Sequence, residues 1–513
     1  MTVDYAKIYR RSVWAFFILL ALFYDWMLRH FPLLIYGDST IYMELARHLM
    51  EGQGYRIWQN GTFGVFSFYP PLYSLALAAL SAAGDMPVTD SARWLAMVSL
   101  LGMLYFYYCF LRELGLHAGW ALLGLVLVVT SWIFPMYYVI LSEHLFLLFY
   151  TAFLWVFVRW WRRGEAKWLV MAGVFSAFMF LTRYAALGII GPAVWVIGRY
   201  GGRGRWKKML LYLAPVMPAA TAWWAYLYPY GDGLFGRHAA WHPPGREHWH
   251  DWVVTLANWM APGFTRVLAP LLLLVAIMAV WHDGWPRLKR MTAREAPRLV
   301  EMLLWLAGGY LLFVVLTISL FDFTTPLDTR LLAPVYFILL ALALVILRDW
   351  PRSRLRMLLL GLILISHAAN FAVDTYHRKT KTLYVQQITS PRLIDFINNV
   401  HHKIYSNGKD IIKPVMHDYR LLYDLPSRYD RFNLRPSATY RRDLERVKEE
   451  IRRGEASIIF FDNFKNRNFE VPPAELLEIF NDMPVYRLPA DHVILITARP
   501  FSMPADTTPG PGR

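Results

Sequence analysis

The sequence predicts a polytopic α-helical membrane protein of about eleven transmembrane helices. Interfacial helices are expected in its first outer loop, and a small extracytoplasmic α/β domain toward its C-terminal end. Three observations predict this. First, 57% of the 513 residues are hydrophobic and the mean hydropathy is +0.31, too apolar for a soluble chain of this size. Second, Lys and Arg gather in short clusters between the apolar runs, as they do in cytoplasmic loops. Third, the apolar runs give way near Asp374 to charged, amphipathic stretches. Because the formal charge of +16 resides largely in those clusters, membrane lipids are the expected surroundings and nucleic acid is not an expected partner. A single cysteine, Cys109, excludes disulfide frameworks and thiolate metal clusters.

Lys7, Arg10 and Arg11 precede the first apolar run, Ser12–Leu28, and place the N-terminus in the cytoplasm. No cleavage site follows that run, so it reads as a retained anchor. The next segment, residues 29–91, is then the first outer loop. Within it Leu72–Gly84 is apolar but shorter than the ~20 residues that a span needs, and it reads as a further piece of the loop. The expected spans thereafter are Ala92–Leu111, Gly119–Phe134, Leu141–Trp161, Lys167–Thr182, Ala185–Gly198, Met209–Tyr228, Thr265–Trp281, Leu299–Leu320, Leu331–Leu347 and Met357–Val373. Alternating sides puts the clusters at 162–167, 199–208, 287–298 and 348–356 inside. Counting Leu72–Gly84 as a span would invert them, so the positive-inside rule favours eleven spans with the C-terminal region outside. The expected location is the inner membrane, multi-pass.

The expected domains are residues 1–373, membrane-embedded, residues 374–500, extracytoplasmic, and residues 501–513, a disordered tail (SMPADTTPGPGR in its composition). In the second, Pro391–Tyr405 and Tyr440–Arg453 read as amphipathic helices. Ser457–Asp462 and Val493–Thr497 read as short buried strands.

The stretch from Tyr36 to Leu72, YGDSTIYMELARHLMEGQGYRIWQNGTFGVFSFYPPL, is too polar to cross a bilayer. Ser39–Met50 reads as an interfacial amphipathic helix, with Ile41, Leu45 and Leu49 on one side and Glu44, Arg47, His48 and Glu51 mostly turned away. Asp38, where the chain leaves the membrane, suits chemistry on a lipid-borne substrate. It is also a favoured helix cap. Glu143, in LSEHLFLL, lies at the outer end of a span, where a carboxylate is expensive and usually has a partner or a task. Arg183 (LTRYAAL) and Arg330 (LDTRLLAP) occupy other outer turns. Two carboxylates and two arginines on one membrane face fit an anionic lipid headgroup and a general base, since arginine forks bind phosphate bidentately. Snorkelling is the alternative for each arginine. Tyr42, Tyr69, His144 and Tyr184 are candidates for lining a substrate pocket.

The loop around HAAWHPPGREHWHDW carries His238, His242, His248 and His250, weak candidates for metal ligands. Tryptophans interleave with them as in an interfacial belt, and the spacing lacks the HExxH pattern of a helical zinc site. No cofactor is therefore certain, and a divalent metal ion stays open.

One span followed by G-D-S-T-I-Y-x-x-x-A-R-x-L-x-x-G-x-G and then Y-P-P-L resembles the GT-C superfamily of polyprenyl-phosphate-sugar-dependent glycosyltransferases, in the branch with protein O-mannosyltransferase-like and aminoarabinose-transferase-like members. The SEH, TRY and TRLLAP turns and the outer α/β domain extend that resemblance over nearly the whole chain. It implies a GT-C-like fold and inverting transfer of a sugar from a polyprenyl-phosphate donor to a hydroxyl of a lipid, glycan or protein acceptor, at the outer membrane face. By position, Asp38 matches the catalytic acidic residue of the first loop, Glu143 a second acidic position, and Arg183 and Arg330 basic positions near the donor phosphate. Ser39 stands where mannosyltransferases often have a second acid. Tyr69 stands where the aminoarabinose branch often has Lys. A polytopic lipid or solute transporter or flippase and a glycan ligase are the rival readings. The first should show repeated halves with broken helices near the midplane, and no internal repeat is evident.

Overall fold

Apolar runs punctuated by Gly, Pro and basic turns fold into helices wherever a bilayer leaves backbone groups no partner but one another. The computed structural model describes residues 5–31, 33–35, 37–230, 239, 241–260, 262, 296–322, 325–349, 354–380, 388, 390–429, 436–462, 471–499 and 501. In chain order the elements are α1 (Tyr5–His30), α2 (Gly37–Met50), the strands β1 (Arg56–Gln59) and β2 (Thr62–Val65), α3 (Leu72–Gly84), α4 (Val88–Glu113), α5 (Ala118–Val129), α6 (Glu143–Arg163), α7 (Ala166–Thr182), α8 (Leu187–Tyr200), α9 (Arg205–Leu227) and α10 (Arg246–Met260). Then come α11 (Ala296–Leu320), α12 (Thr329–Asp349), α13 (Arg354–Thr380), α14 (Pro391–Asn399), β3 (Lys403–Ser406), β4 (Leu422–Asp424), α15 (Tyr440–Arg452), β5 (Ala456–Phe461), α16 (Pro473–Ile479), β6 (Val485–Leu488) and β7 (Val493–Thr497). The expected span Thr265–Trp281, His238 and the tail from residue 502 lie outside the described residues.

Among the described residues six helices, within α1, α4, α6, α9, α11 and α12, are long and apolar enough to cross a membrane. At 13 residues, α3 reaches only ~20 Å, against a hydrocarbon thickness of about 30 Å. The chain divides into two compact units, residues 1–34 with 67–382 and residues 35–66 with 383–513.

In the first unit α6 is the most deeply buried of these helices, and α4, α6, α7 and α9 pack in succession. Small residues allow the close approaches, as membrane helices require. A Cβ on Gly173 of α7 would collide with the Tyr212 carbonyl of α9, and one on Gly309 of α11 with Pro192 of α8. Where α1 ends, the Leu34 N–H donates to Tyr138 O (2.8 Å) and Leu34 O accepts from the Ile140 N–H (3.1 Å). This bridge ties the exit of α1 to the 3-10 turn Phe134–Tyr138 that leads into α6.

In the second unit α2 is buried over most of its length. Glu44 and His48, expected to turn outward, are 1% and 8% exposed. Each has an internal partner that offsets its desolvation: Glu44 Oε2 pairs with Lys413 Nζ (2.7 Å) and Oε1 accepts from the Trp58 N–H (2.8 Å), while His48 Nδ1 contacts Arg56 O at 2.6 Å. β1 and β2 form a hairpin through Asn60-Gly61, both with positive φ, as a type I′ turn requires. The five-stranded sheet has the order β4-β3-β5-β7-β6, parallel across β4, β3 and β5 and antiparallel beyond. Alternation along the strands sends Ile404, Ile459 and Leu495 into one apolar cluster with α14, and Tyr405, Ile458 and Ile496 into another with α15 and α16. The expected strands and the helix at 440 lie within a residue or so of their observed ends. The helix expected over Pro391–Tyr405 stops at Asn399, and Ile404 and Tyr405 instead belong to β3.

Candidate active site

Glu143 is the first residue of α6, 2% exposed. A carboxylate in a helix's first turn is favoured by the backbone dipole, but burial at this depth demands counter-charges. Two arginines supply them. Arg183 Nη1 lies 2.6 Å from Glu143 Oε2, and Arg330 Nε lies 3.4 Å from Oε1. The three side chains come from α6, the turn between α7 and α8, and the start of α12.

Each arginine is placed by local structure. Arg183 leaves α7 in an extended conformation (φ −152°) while its N–H still donates to Met179 O at 2.8 Å. Its guanidinium also donates to Ser142 Oγ (3.1 Å), the residue before Glu143. Arg330 is the second residue of α12, whose start Asp328 caps by accepting the Leu331 N–H at 3.1 Å. Tyr310 of α11 donates to Leu331 O at 2.8 Å and holds that end in place. Asp328 Oδ2 lies 4.0 Å from Arg330 Nε. Burial raises the Asp328 carboxyl above its ordinary value, with Arg330 acting in the opposite direction.

The structure thus joins Glu143, Arg183 and Arg330, and adds Ser142 and Asp328, which the sequence reading did not single out. An Asp immediately before a helix is the cap signal that points to Asp328; for Ser142 adjacency to Glu143 was the only cue. Two pocket candidates have structural tasks. His144 Nε2 lies 2.8 Å from Met136 O and the ring stacks on Tyr137 at 4.6 Å, so it anchors the 3-10 turn. Tyr184 donates to Ser67 O (2.8 Å) and accepts from Trp223 Nε1 (2.8 Å), which ties three segments together. Tyr69 is half-buried in the first unit. Asp38, half-buried, and Tyr42, 1% exposed, lie on α2 in the second unit.

Among the described residues no group of three or more His, Cys, Asp and Glu is arranged to hold a metal ion. His248 Nδ1 accepts from the Gly245 N–H (3.1 Å), and His250 lies 3.7 Å from Asp251. The His242 N–H donates to Ser319 O at 2.9 Å.

The sequence matches no family model and no curated protein. Solved structures do match along nearly its whole length. ArnT from Cupriavidus metallidurans bound to undecaprenyl phosphate is 12% identical, covers 96% of this chain and 99% of its own, and has a TM-score of 0.55. The same protein in the apo state is 13% identical over 95% and 98%, with a TM-score of 0.58. The archaeal oligosaccharyltransferase AglB from Archaeoglobus fulgidus, in complex with an inhibitory peptide and a dolichol-phosphate, is 10% identical over 98% and 76%, with a TM-score of 0.56. The chain has the GT-C fold.

Proposed function

We propose that this chain is a membrane glycosyltransferase, moving a sugar from a polyprenyl-phosphate donor to an acceptor hydroxyl at the outer face of the membrane with inversion. One observation carries the reading: a buried carboxylate, Glu143, holding two guanidiniums at the start of a membrane helix. The fold supports it, since the similar structures are of ArnT with undecaprenyl phosphate and AglB with a dolichol-phosphate. An arginine has five N–H donors in a planar fork. One fixed along an edge by a carboxylate is pre-organised to bind a phosphate along another.

In this reading Asp38 accepts the proton of the acceptor hydroxyl. The acceptor oxygen bonds to the anomeric carbon as the bond from that carbon to the phosphate oxygen breaks. The electron pair leaves with the polyprenyl phosphate, whose charge Arg183 and Arg330 stabilise. Phosphate is a good leaving group, so no acid need protonate it, and one base suffices where hydrolases use paired carboxylates. Glu143 has its oxygens directed at cations, so its part is to hold the two arginines.

The test is turnover of a radiolabelled polyprenyl-phosphate hexose by the purified protein in lipid nanodiscs, with extracted envelope lipids and glycans as acceptors. Label in a new product together with free polyprenyl phosphate supports transfer. In sealed vesicles, movement of the intact donor across the bilayer with no bond broken overturns it in favour of a flippase.

A further inference from the structure

A cavity within the second unit has no part in the reading above. It is a cleft of about 620 Å³ between α2, α14 and the segment 414–419, within the roughly 300–1,000 Å³ of small-molecule sites. Its apolar floor is Ile394, Val415 and Met416, and its polar rim is Arg47, Asp395, Asn398, Asn399, His417 and Tyr419.

The walls are built rather than incidental. The Asn398 amide donates to Ile394 O (3.1 Å) and Val415 O (2.8 Å), and its Oδ1 accepts from the His417 N–H (2.9 Å). This one side chain fixes α14 against the opposite wall. Arg47 Nη1 donates to the Tyr419 hydroxyl at 2.8 Å, closing the end formed by α2. With the frame held this way, Asp395 and Asn399 stand exposed at the rim, and neither makes a side-chain hydrogen bond or ion pair among the described residues.

We propose that this cleft binds a short neutral saccharide, a glycan portion of the acceptor. A carboxylate, amides, an imidazole, a guanidinium and a phenol surround a short apolar floor. That combination of donors and acceptors of both kinds, with no excess of one charge, suits a polyhydroxylated ring with an apolar face. A phosphate would call for clustered cations, and a peptide strand for an open sheet edge. Arg47 stands nine residues after Asp38 on α2, about 13 Å along the axis and two and a half turns away. The cleft therefore faces the opposite side of α2 from Asp38, and it grips a part of the acceptor remote from the reacting hydroxyl. The identification of that glycan with the acceptor rests on the proposed glycosyl transfer, while saccharide binding itself does not.

The experiment uses the full chain in lipid nanodiscs free of glycosidic detergent, applied to an array of neutral oligosaccharides, acidic oligosaccharides and peptides. Retention of neutral di- or trisaccharides is expected, weakened about three- to tenfold by Asn399→Ala and about tenfold or more by Asp395→Ala. Both positions are exposed, so the variants keep the fold, and binding of the polyprenyl-phosphate donor serves as the control. Retention of no saccharide, retention equal in the doubly substituted protein, or retention of peptides alone overturns the proposal. Donor binding and cleavage without saccharide retention overturn the cleft and leave the function standing. Saccharide retention without donor cleavage does the reverse. In turnover, cleft variants raise the acceptor KM with kcat little changed, the mark of remote binding.

Discussion

Glu44 and Lys413 are 369 positions apart in the chain, and they meet as a 2.7 Å ion pair with both side chains under a tenth exposed. The pair fastens the helix that carries Asp38 to the segment after β3 within the second unit. Removing one partner leaves a buried charge uncompensated, which costs about 3–5 kcal/mol, whereas replacing both with apolar groups is often near neutral. Lys413→Met is therefore expected to make residues 383–499 sensitive to protease at lower urea, and Glu44→Leu with Lys413→Met to recover most of the loss. Equal resistance in the wild type and the single variant would mean that the pair contributes little.

Arg183 and Arg330 share Glu143, so truncating either harms the fold as well as any ligand contact. Arg330→Lys separates the two effects. It keeps a cation beside the buried carboxylate but loses the planar fork. Donor affinity is expected to fall about 10- to 150-fold, the worth of a charge-assisted hydrogen bond, while thermal stability changes little. Wild-type affinity in that variant and in Arg183→Lys would leave both residues as counter-charges of Glu143 with no part in donor binding.

The sidedness proposal predicts that the α/β unit faces outward. Ser406 lies in β3 and is 1% exposed, so a cysteine there would be shielded on either side of the membrane. Arg441, on the exposed side of α15, is the better reporter. With Cys109 replaced by Ser, Arg441→Cys is expected to react with an impermeant maleimide in cells whose inner membrane is intact. Labelling only after that membrane is opened would reverse the orientation.

His402 gives the second unit a pH dependence. Burial lowers its pKa to about 4, with the positive charges of Arg499 and His401 adding to the effect, and its Nε2 lies 2.8 Å from Ser457 Oγ. The unfolded chain takes up a proton near pH 6.5, whereas the folded one resists until about 4. Stability from this group is thus fully present above about pH 7 and is lost as pH falls between those two values, by about 3 kcal/mol in all. Urea-dependent proteolysis from pH 7.5 to 4.5 should show that slope, and His402→Asn should flatten it. An unchanged slope would assign the acid sensitivity to other groups.

What was legible in the sequence follows from which forces act locally. Leu72–Gly84 was bounded to the residue because Pro70-Pro71 before it and Gly84 at its end are local stop signals. Glu143, Arg183 and Arg330 stood out because a charge at the end of an apolar run is costly wherever it goes. The inward turn of Glu44 was not legible, since the lysine that makes it tolerable lies far along the chain. β3 was hidden because amphipathic helical periodicity runs on to Tyr405 although the backbone turns at Val400. Asn60-Gly61 did carry a readable hairpin signal. Its importance lies in packing: Asn60 Oδ1 accepts from the Asp424 N–H at 2.9 Å, and a side chain on Gly61 would collide with Tyr423.

Asp38 sits in the first turn of α2, where two roles predict different numbers. α2 already begins at Gly37, so Asp38 is its second residue and not its cap, and a carboxylate there stabilises the helix start through the backbone dipole. The loss of charge at the helix dipole costs only about 0.3–1 kcal/mol. If that is the whole role, Asp38→Asn leaves turnover nearly intact. A general base is different, because the amide keeps the shape and the hydrogen bonds but does not take the acceptor proton. Losing one typically slows the reaction about 10²–10⁴-fold. Ala does not discriminate, since it removes both roles at once. The expected result is a folded Asp38→Asn protein that binds the polyprenyl-phosphate donor like the wild type and turns over at least about a hundredfold more slowly. Near-wild-type turnover would leave Asp38 with its place at the helix dipole alone. The search for the base would then move to Glu143, where Glu143→Gln should be compared with Arg330→Lys to separate proton transfer from the holding of the arginines.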